Sequence, residues 1–231
     1  MGFKDQTAAV CAAVGLALVL VPASQAASPT QARTPSKIDR IFTSAMLGGD
    51  AAALERVTGR AAQNAGDVRY YEVEGCAVQA LVRGGKVEAL AMETSSRCTF
   101  NVDAVVGGDA IGTANIIHFA EIFDNFQDGV LTADCLMMCG NAVEPSIQYT
   151  FNVGRRAMTI ETVMVTQPEA TERWQKAMVD AKGQDWVVDA SFNCDHSFDR
   201  IGKGLFRPAQ ATRIVVWASP PRFACNGPRP I

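Results

Sequence analysis

The chain has 231 residues, of which 48% are hydrophobic and 19% charged, and its formal net charge at pH 7 is −3. This composition excludes a disordered or fibrous polypeptide and leaves room for one sizeable domain, or two small ones, with a real core. The charge is unevenly placed, because residues 200–231 hold Arg200, Lys203, Arg207, Arg213, Arg222 and Arg229 and no acid, a patch too thin and too poor in aromatics to predict nucleic-acid binding.

Residues 1–26 read as a signal peptide. Lys4 gives a basic start, Val10 to Val21 forms an apolar run, and Ser24-Gln25-Ala26 supplies the small residues of a cleavage site. Residues 27–35 are rich in Ser, Thr, Pro and Gln and read as a disordered spacer. No other apolar run approaches the roughly 18 residues that a spanning helix requires, so a periplasmic or secreted chain without a transmembrane segment in its mature part is expected.

From Ser36 the spacing of Ile38, Ile41, Phe42, Ala45 and Met46 predicts a helix that Gly48-Gly49 ends, and Asp50 introduces a second, short helix carrying Leu54 and Val57. The stretch Arg69 to Met92 then reads as a β-hairpin turning at Gly84-Gly85, since primed turns need positive φ at both central residues. Simple alternation sets Arg83 opposite Lys86, Val82 opposite Val87, Ala80 opposite Ala89 and Val78 opposite Ala91, with those apolar residues on one face. Thr113 to Phe126 predicts a third helix, apolar over most of its circumference. A second hairpin turns at Gly154-Arg155 and places Phe151 opposite Met158 and Tyr149 opposite Ile160. Thr166-Gln-Pro-Glu169 reads as a capping box for a helix to about Lys182 that buries Trp174, Ala177 and Met178. Trp186 to Phe192 and Ile214 to Trp217 read as short strands, with a long loop between them.

Beyond the leader stand Cys76, Cys98, Cys135, Cys139, Cys194 and Cys225. An even count in an exported chain predicts a disulfide framework, and sequence order suggests Cys76–Cys98, Cys135–Cys139 and Cys194–Cys225. The Cys-x-x-x-Cys spacing of the middle pair fits neither a zinc knuckle nor a thiol oxidoreductase. The expected fold is therefore α+β: an antiparallel sheet built from β-hairpins, helices packed on one face, and disulfide staples. Residues 36–165 are expected to form an α+β domain and 166–231 a helix plus two-strand unit on the same sheet. The first unit, helices followed by the Tyr-x-Val-x-Gly-Cys strand at Tyr71 to Cys76 and the Gly-Gly hairpin, is similar in outline to small periplasmic assembly lipoproteins and secreted β-lactamase-inhibitor modules. The similarity is one of topology and transfers no residue role.

Little in the chain points to catalysis. His118 and Glu121 have helical i, i+3 spacing, but two ligands do not make a metal site. His196 stands among Asp195, Ser197 and Asp199, whereas catalytic partners normally come from separate elements. Asp124 to Cys135 imitates a calcium loop at its first, fifth and sixth positions and fails at the twelfth, where Cys135 replaces the bidentate carboxylate. Gly202-Lys203-Gly204 is too short for a phosphate loop, and hydrolase, zinc-protease and dinucleotide fingerprints are absent from the sequence, so no cofactor is expected. The expected function is that of a binding or inhibitor-like module of the bacterial envelope, recognising a protein or envelope polymer through Arg200, Lys203, Arg207 and His196. The alternative is a secreted hydrolase using His196 with a distant acid.

Overall fold

The computed structural model describes residues 35–139 and 144–222, together with Cys225 and Ile231. The predicted leader and, apart from Pro35, the predicted spacer lie outside the described residues. From Pro35 the chain forms one unit, and its described residues form seven α-helices and eight strands. In chain order these are α1 (Lys37–Ile41), α2 (Ala51–Thr58), β1 (Gln63–Ala65), β2 (Val68–Val73), β3 (Cys76–Arg83), β4 (Lys86–Glu93), α3 (Asp103–Val106), α4 (Phe119–Asn125), β5 (Val130–Ala133), β6 (Ser146–Val153), β7 (Arg156–Val163), α5 (Pro168–Lys182), α6 (Gln184–Val188), α7 (Asp199–Phe206) and β8 (Arg213–Trp217). All eight strands join one antiparallel sheet in the order β1-β2-β3-β4-β8-β7-β6-β5. The fold is thus the expected α+β arrangement. β8, the last strand, lies in the middle and zips two hairpin sheets into one.

Both hairpins form where the glycines require them. Gly84 and Gly85 have φ of 55° and 75°, and Gly154 has 61°, values that an L side chain adopts only with strain. The second hairpin keeps the expected register, Phe151 opposite Met158 and Tyr149 opposite Ile160. The first departs from simple alternation. Arg83 faces Lys86 and Val82 faces Val87, but the register then shifts, so that Leu81 faces Ala89, Ala80 faces Leu90 and Val78 faces Met92. β4 carries one extra residue at Glu88, a β-bulge, and the side-chain period of two turns that single insertion into a change of face. Leu90 and Met92 enter the main core in place of Ala89 and Ala91, which are turned to the opposite face. The Glu88 carbonyl accepts the Ala218 N–H at 2.8 Å, and its carboxylate accepts Arg83 Nη1 at 3.1 Å.

The helices cover one face of the sheet. Ile38, Leu54, Val105, Ile122, Trp174, Val187 and Phe206, one from each helix, share a continuous core with Val78, Leu90, Tyr149, Met158, Ile214 and Val216. Each large apolar side chain buried this way contributes about 1.5–3 kcal/mol. Arg156, at the turn of the second hairpin, ties the cover down by donating to the carbonyls of Val105 and Ser44. The other face buries the strand residues Leu81, Ala89, Ala91, Ala157, Val215 and Trp217, with Ile231 packed against them.

Four expected elements differ, the opening helix first: it spans only Lys37–Ile41 and ends at Phe42, before Gly48. The third helix is confined to Phe119–Asn125, because Ile117 and His118 stay extended against residues 209–211. There Ala211 N–H donates to Ile117 O and Phe119 N–H to Ala209 O, tertiary pairings that override local propensity. Trp186 to Phe192 is not a strand: it is α6 and a 3-10 turn packed on α5 through the Trp174–Phe192 contact. The expected long loop contains α7, whose Phe198, Gly202 and Phe206, at helical four-residue spacing, are buried. Pro168 opens α5, but Thr166 Oγ1 donates to Val163 O and forms no capping box.

All three expected cysteine pairs lie at disulfide distance, with Cα–Cα separations of 5.5 Å for Cys76–Cys98, 5.6 Å for Cys135–Cys139 and 5.3 Å for Cys194–Cys225. The β5 edge of the sheet is sealed by side chains. Asp199 Oδ2 accepts the Leu131 N–H at 3.0 Å, and the Asn193 amide accepts the Ala133 N–H and donates to the Ala133 carbonyl, each at 3.0 Å. An open edge would invite pairing with another chain.

Candidate functional site

The residues expected to bind lie on and beside α7, and two of the three cations are engaged within the molecule. Arg207 makes a bidentate pair with Asp124, at 2.9 and 2.7 Å, which holds the Asp124 carboxyl below its usual range. Lys203 donates to Gln127 O at 2.8 Å and stands 4.9 Å from the centre of the Tyr149 ring; its partial burial lowers its pKa. Arg200 is exposed. His196 Nδ1 stands 3.6 Å from Asp199 Oδ2, beyond hydrogen-bond reach, and that same oxygen already accepts the Leu131 N–H. Burial pushes the Asp199 carboxyl up, against the opposing pull of Leu131, His196 and Lys203. Ser197 is turned to Asp195, and Cys194 is in its disulfide, so no nucleophile joins His196 from its own segment. His118 is the residue before α4 and is exposed, as is Glu121.

A different set of side chains converges on the face of the sheet opposite the helices. The register aligns Glu93 on β4 with Arg213 on β8, Arg213 with Glu161 on β7, Glu161 with Gln148 on β6, and Gln148 with Thr132 on β5. Five polar residues thus form one straight row across five adjacent strands. Arg213 Nη1 donates to Glu161 Oε1 at 2.7 Å and Nη2 to Gln79 Oε1 at 2.9 Å. Gln148 Nε2 donates to Asp134 Oδ1 and to Ser146 Oγ, both at 2.9 Å, and Ser146 Oγ donates to Asp134 Oδ2 at 2.9 Å. One step along the strands the row becomes Ala91, Val215, Thr159 and Thr150, and Trp217 Nε1 donates to Thr159 Oγ1 at 3.0 Å.

Over this row lies a cavity of about 550 Å³, lined by Gln79, Glu93, Asp134, Gln148, Glu161 and Arg213, with Glu144, Val163 and Ile231 among the residues at its margin. That volume falls within the range of small-molecule sites. Glu161 and Gln148 are 6% and 3% exposed. A buried ion pair is poor value for stability, since apolar residues of similar volume often do as well. What the Glu161–Arg213 pair does achieve is to fix charged and hydrogen-bonding groups at set positions in the wall of a cavity. Sequence reasoning missed this site because its members are brought together by β8, whose place between the hairpins is not local information. The one local signal was Glu161, a charged residue inside a strand that after Arg156 is otherwise made of Ala, Met, Thr, Ile and Val.

No family model, no curated protein and no solved structure matches the chain.

Proposed function

We propose that this chain is an exported, disulfide-stapled binding module of the bacterial envelope, and that it recognises its target through the cavity on the face of the sheet opposite the helices. The observation that carries this reading is the aligned row Glu93, Arg213, Glu161 and Gln148 beneath the cavity: four polar side chains, two of them almost fully buried, organised across separate strands where apolar residues would have served the fold. The three cysteine pairs and the apolar leader support export. The basic side chains of α7 support recognition less, because Arg207 and Lys203 already have partners of their own.

The test compares what is retained from an envelope extract by the full-length oxidised protein and by variants of it. Val163→Trp fills the cavity from its margin, and Glu93→Trp does so from an exposed position that the fold tolerates. The expected result is that species held by the parent chain are lost from both filled variants and kept by Arg200→Ala. Retention unchanged by either tryptophan, or lost with Arg200→Ala, overturns the reading in favour of the α7 surface.

A further inference from the structure

We infer that Ile231 is an occupant of the cavity supplied by the chain itself, tethered there through the Cys194–Cys225 disulfide, and that a target must displace it to enter. The inference rests on the cavity being the recognition site and adds the contact that regulates access to it.

Leu81, Ala89, Ala91, Ala157, Val215 and Trp217 form an apolar patch on the same face as the polar row, and none of them is more than 4% exposed. The strand register sets patch and row side by side. Ala91 stands opposite Val215, two residues before Glu93 on β4 and two after Arg213 on β8, where Glu93 and Arg213 are themselves opposite, and a step of two keeps the same face. Ile231 packs against the patch and also lines the cavity. One side chain therefore touches both the apolar patch and the space over the polar row. Ile231 is half-buried and belongs to this small cluster, not to the main core. A lone aliphatic group held in this way gains little from burial, because the gain scales with the area removed from water, and a target with a larger apolar group can take its place.

The tether is visible at its anchor. Cys225 is bonded to Cys194, and its carbonyl accepts Asn193 Nδ2 at 3.0 Å. The same nitrogen donates to Ala133 O on β5, so Cys225 stands beside the β5 edge. In the order β4-β8-β7-β6-β5, β8 lies three strand spacings from that edge and β4 four, a span of about 14–19 Å. Six residue steps separate Cys225 from Ile231, a reach of at most about 20–22 Å. The anchor thus lets Ile231 reach the patch with little length to spare. A group held on so short a tether competes at an effective concentration of about a millimolar, and the affinity of the cavity for a target is reduced by the fraction of molecules in which Ile231 is in place.

The experiment is a fluorescence titration of the full-length oxidised protein with Nile red, a neutral apolar dye, set beside Ile231→Ser, the paired substitution C194S and C225S, and Ile231→Ser combined with Val163→Trp. Because Ile231 lies outside the main core, its substitution leaves the fold intact. The expected result is that Ile231→Ser binds the dye at least threefold tighter than the parent, that the serine pair does the same, and that Val163→Trp cancels the gain. Ile231→Ser is also expected to hold at least twice as much of the species that the parent retains from envelope extract. Dye binding unchanged by Ile231→Ser, or a gain that Val163→Trp leaves in place, overturns the inference while leaving the cavity as a binding site. A gain from Ile231→Ser with none from the serine pair overturns the tether. Loss of the retained species from Ile231→Ser overturns the inference too, since Ile231 would then belong to the recognition surface. Retention unchanged by the tryptophan-filled variants above overturns instead the reading of the cavity itself.

Discussion

Gly202 and Gly204 stand two residues apart on α7, and their surroundings assign them opposite effects on stability. A Cβ on Gly202 would lie 2.7 Å from Leu131 Cδ1 and 2.9 Å from Trp174 Nε1, so the missing side chain is what allows α7 to approach β5 and α5. Trp174 Nε1 donates to Phe198 O at 3.1 Å, and the indole has no room to retreat. A Cβ on Gly204 would meet nothing within 4 Å. Gly202→Ala is therefore expected to destabilise by about 1–3 kcal/mol through overpacking, and Gly204→Ala to stabilise by up to about 1 kcal/mol because alanine loses less backbone entropy in a helix. Denaturant titration of the two variants measures both, and a shared sign would contradict the placement of α7. In the sequence the two glycines are indistinguishable, and together they read as a loop. Only the burial of Phe198, Gly202 and Phe206 at four-residue spacing reveals the helix.

At the scale of elements, the outer edge of β5 is held by the side chains of Asp199 and Asn193. Asp199 takes the place of a neighbouring strand for the Leu131 N–H, and its burial raises its pKa above the ordinary 3.8. A carboxyl whose folded pKa is raised favours the folded state when protonated, so this contribution is complete below the unfolded value near 3.8 and is lost as pH rises through the higher folded value. Asp199→Asn keeps an oxygen for Leu131 and removes the buried charge. The variant is expected to unfold at a higher temperature than the parent at neutral pH, with the difference closing as pH falls toward about 4. A gap that widens on acidification would contradict this account. The elements themselves were legible to the extent that their signals were local. Glycine pairs marked both hairpins, proline opened α5, and cysteine order gave the three pairs. The bulge at Glu88 left no such mark, because an extra residue in one strand is visible only against its partner, and the helix expected from Thr113 was shortened by pairing with residues 209–211, far along the chain.

For the molecule as a whole, the decisive event is the insertion of β8 between β4 and β7. It joins two hairpin sheets, gives the helices a single surface to cover, and forms the middle of the opposite face. On that face it places Arg213 between Glu93 and Glu161, which are 68 residues apart in the sequence. The candidate site is thus a consequence of topology, since Ile214 to Trp217 reads from the sequence only as one of two short strands of a C-terminal unit, with no place in the sheet. The basic residues that the sequence did bring forward are clustered on α7, but Arg207 and Lys203 answer to Asp124 and Gln127 within the same molecule.

The central claim is that recognition occurs on the face of the sheet opposite the helices, and a nuclear magnetic resonance titration with the species that the parent chain retains tests it most directly. The side-chain amide signals of Gln79 and Gln148 and the methyl signals of Val163 and Ile231 report on the cavity, and the imidazole signals of His196 report on the α7 region. The account predicts that the first group shifts on binding while His196 holds still. Movement of His196 with the glutamine amides unchanged would contradict it and return the site to α7.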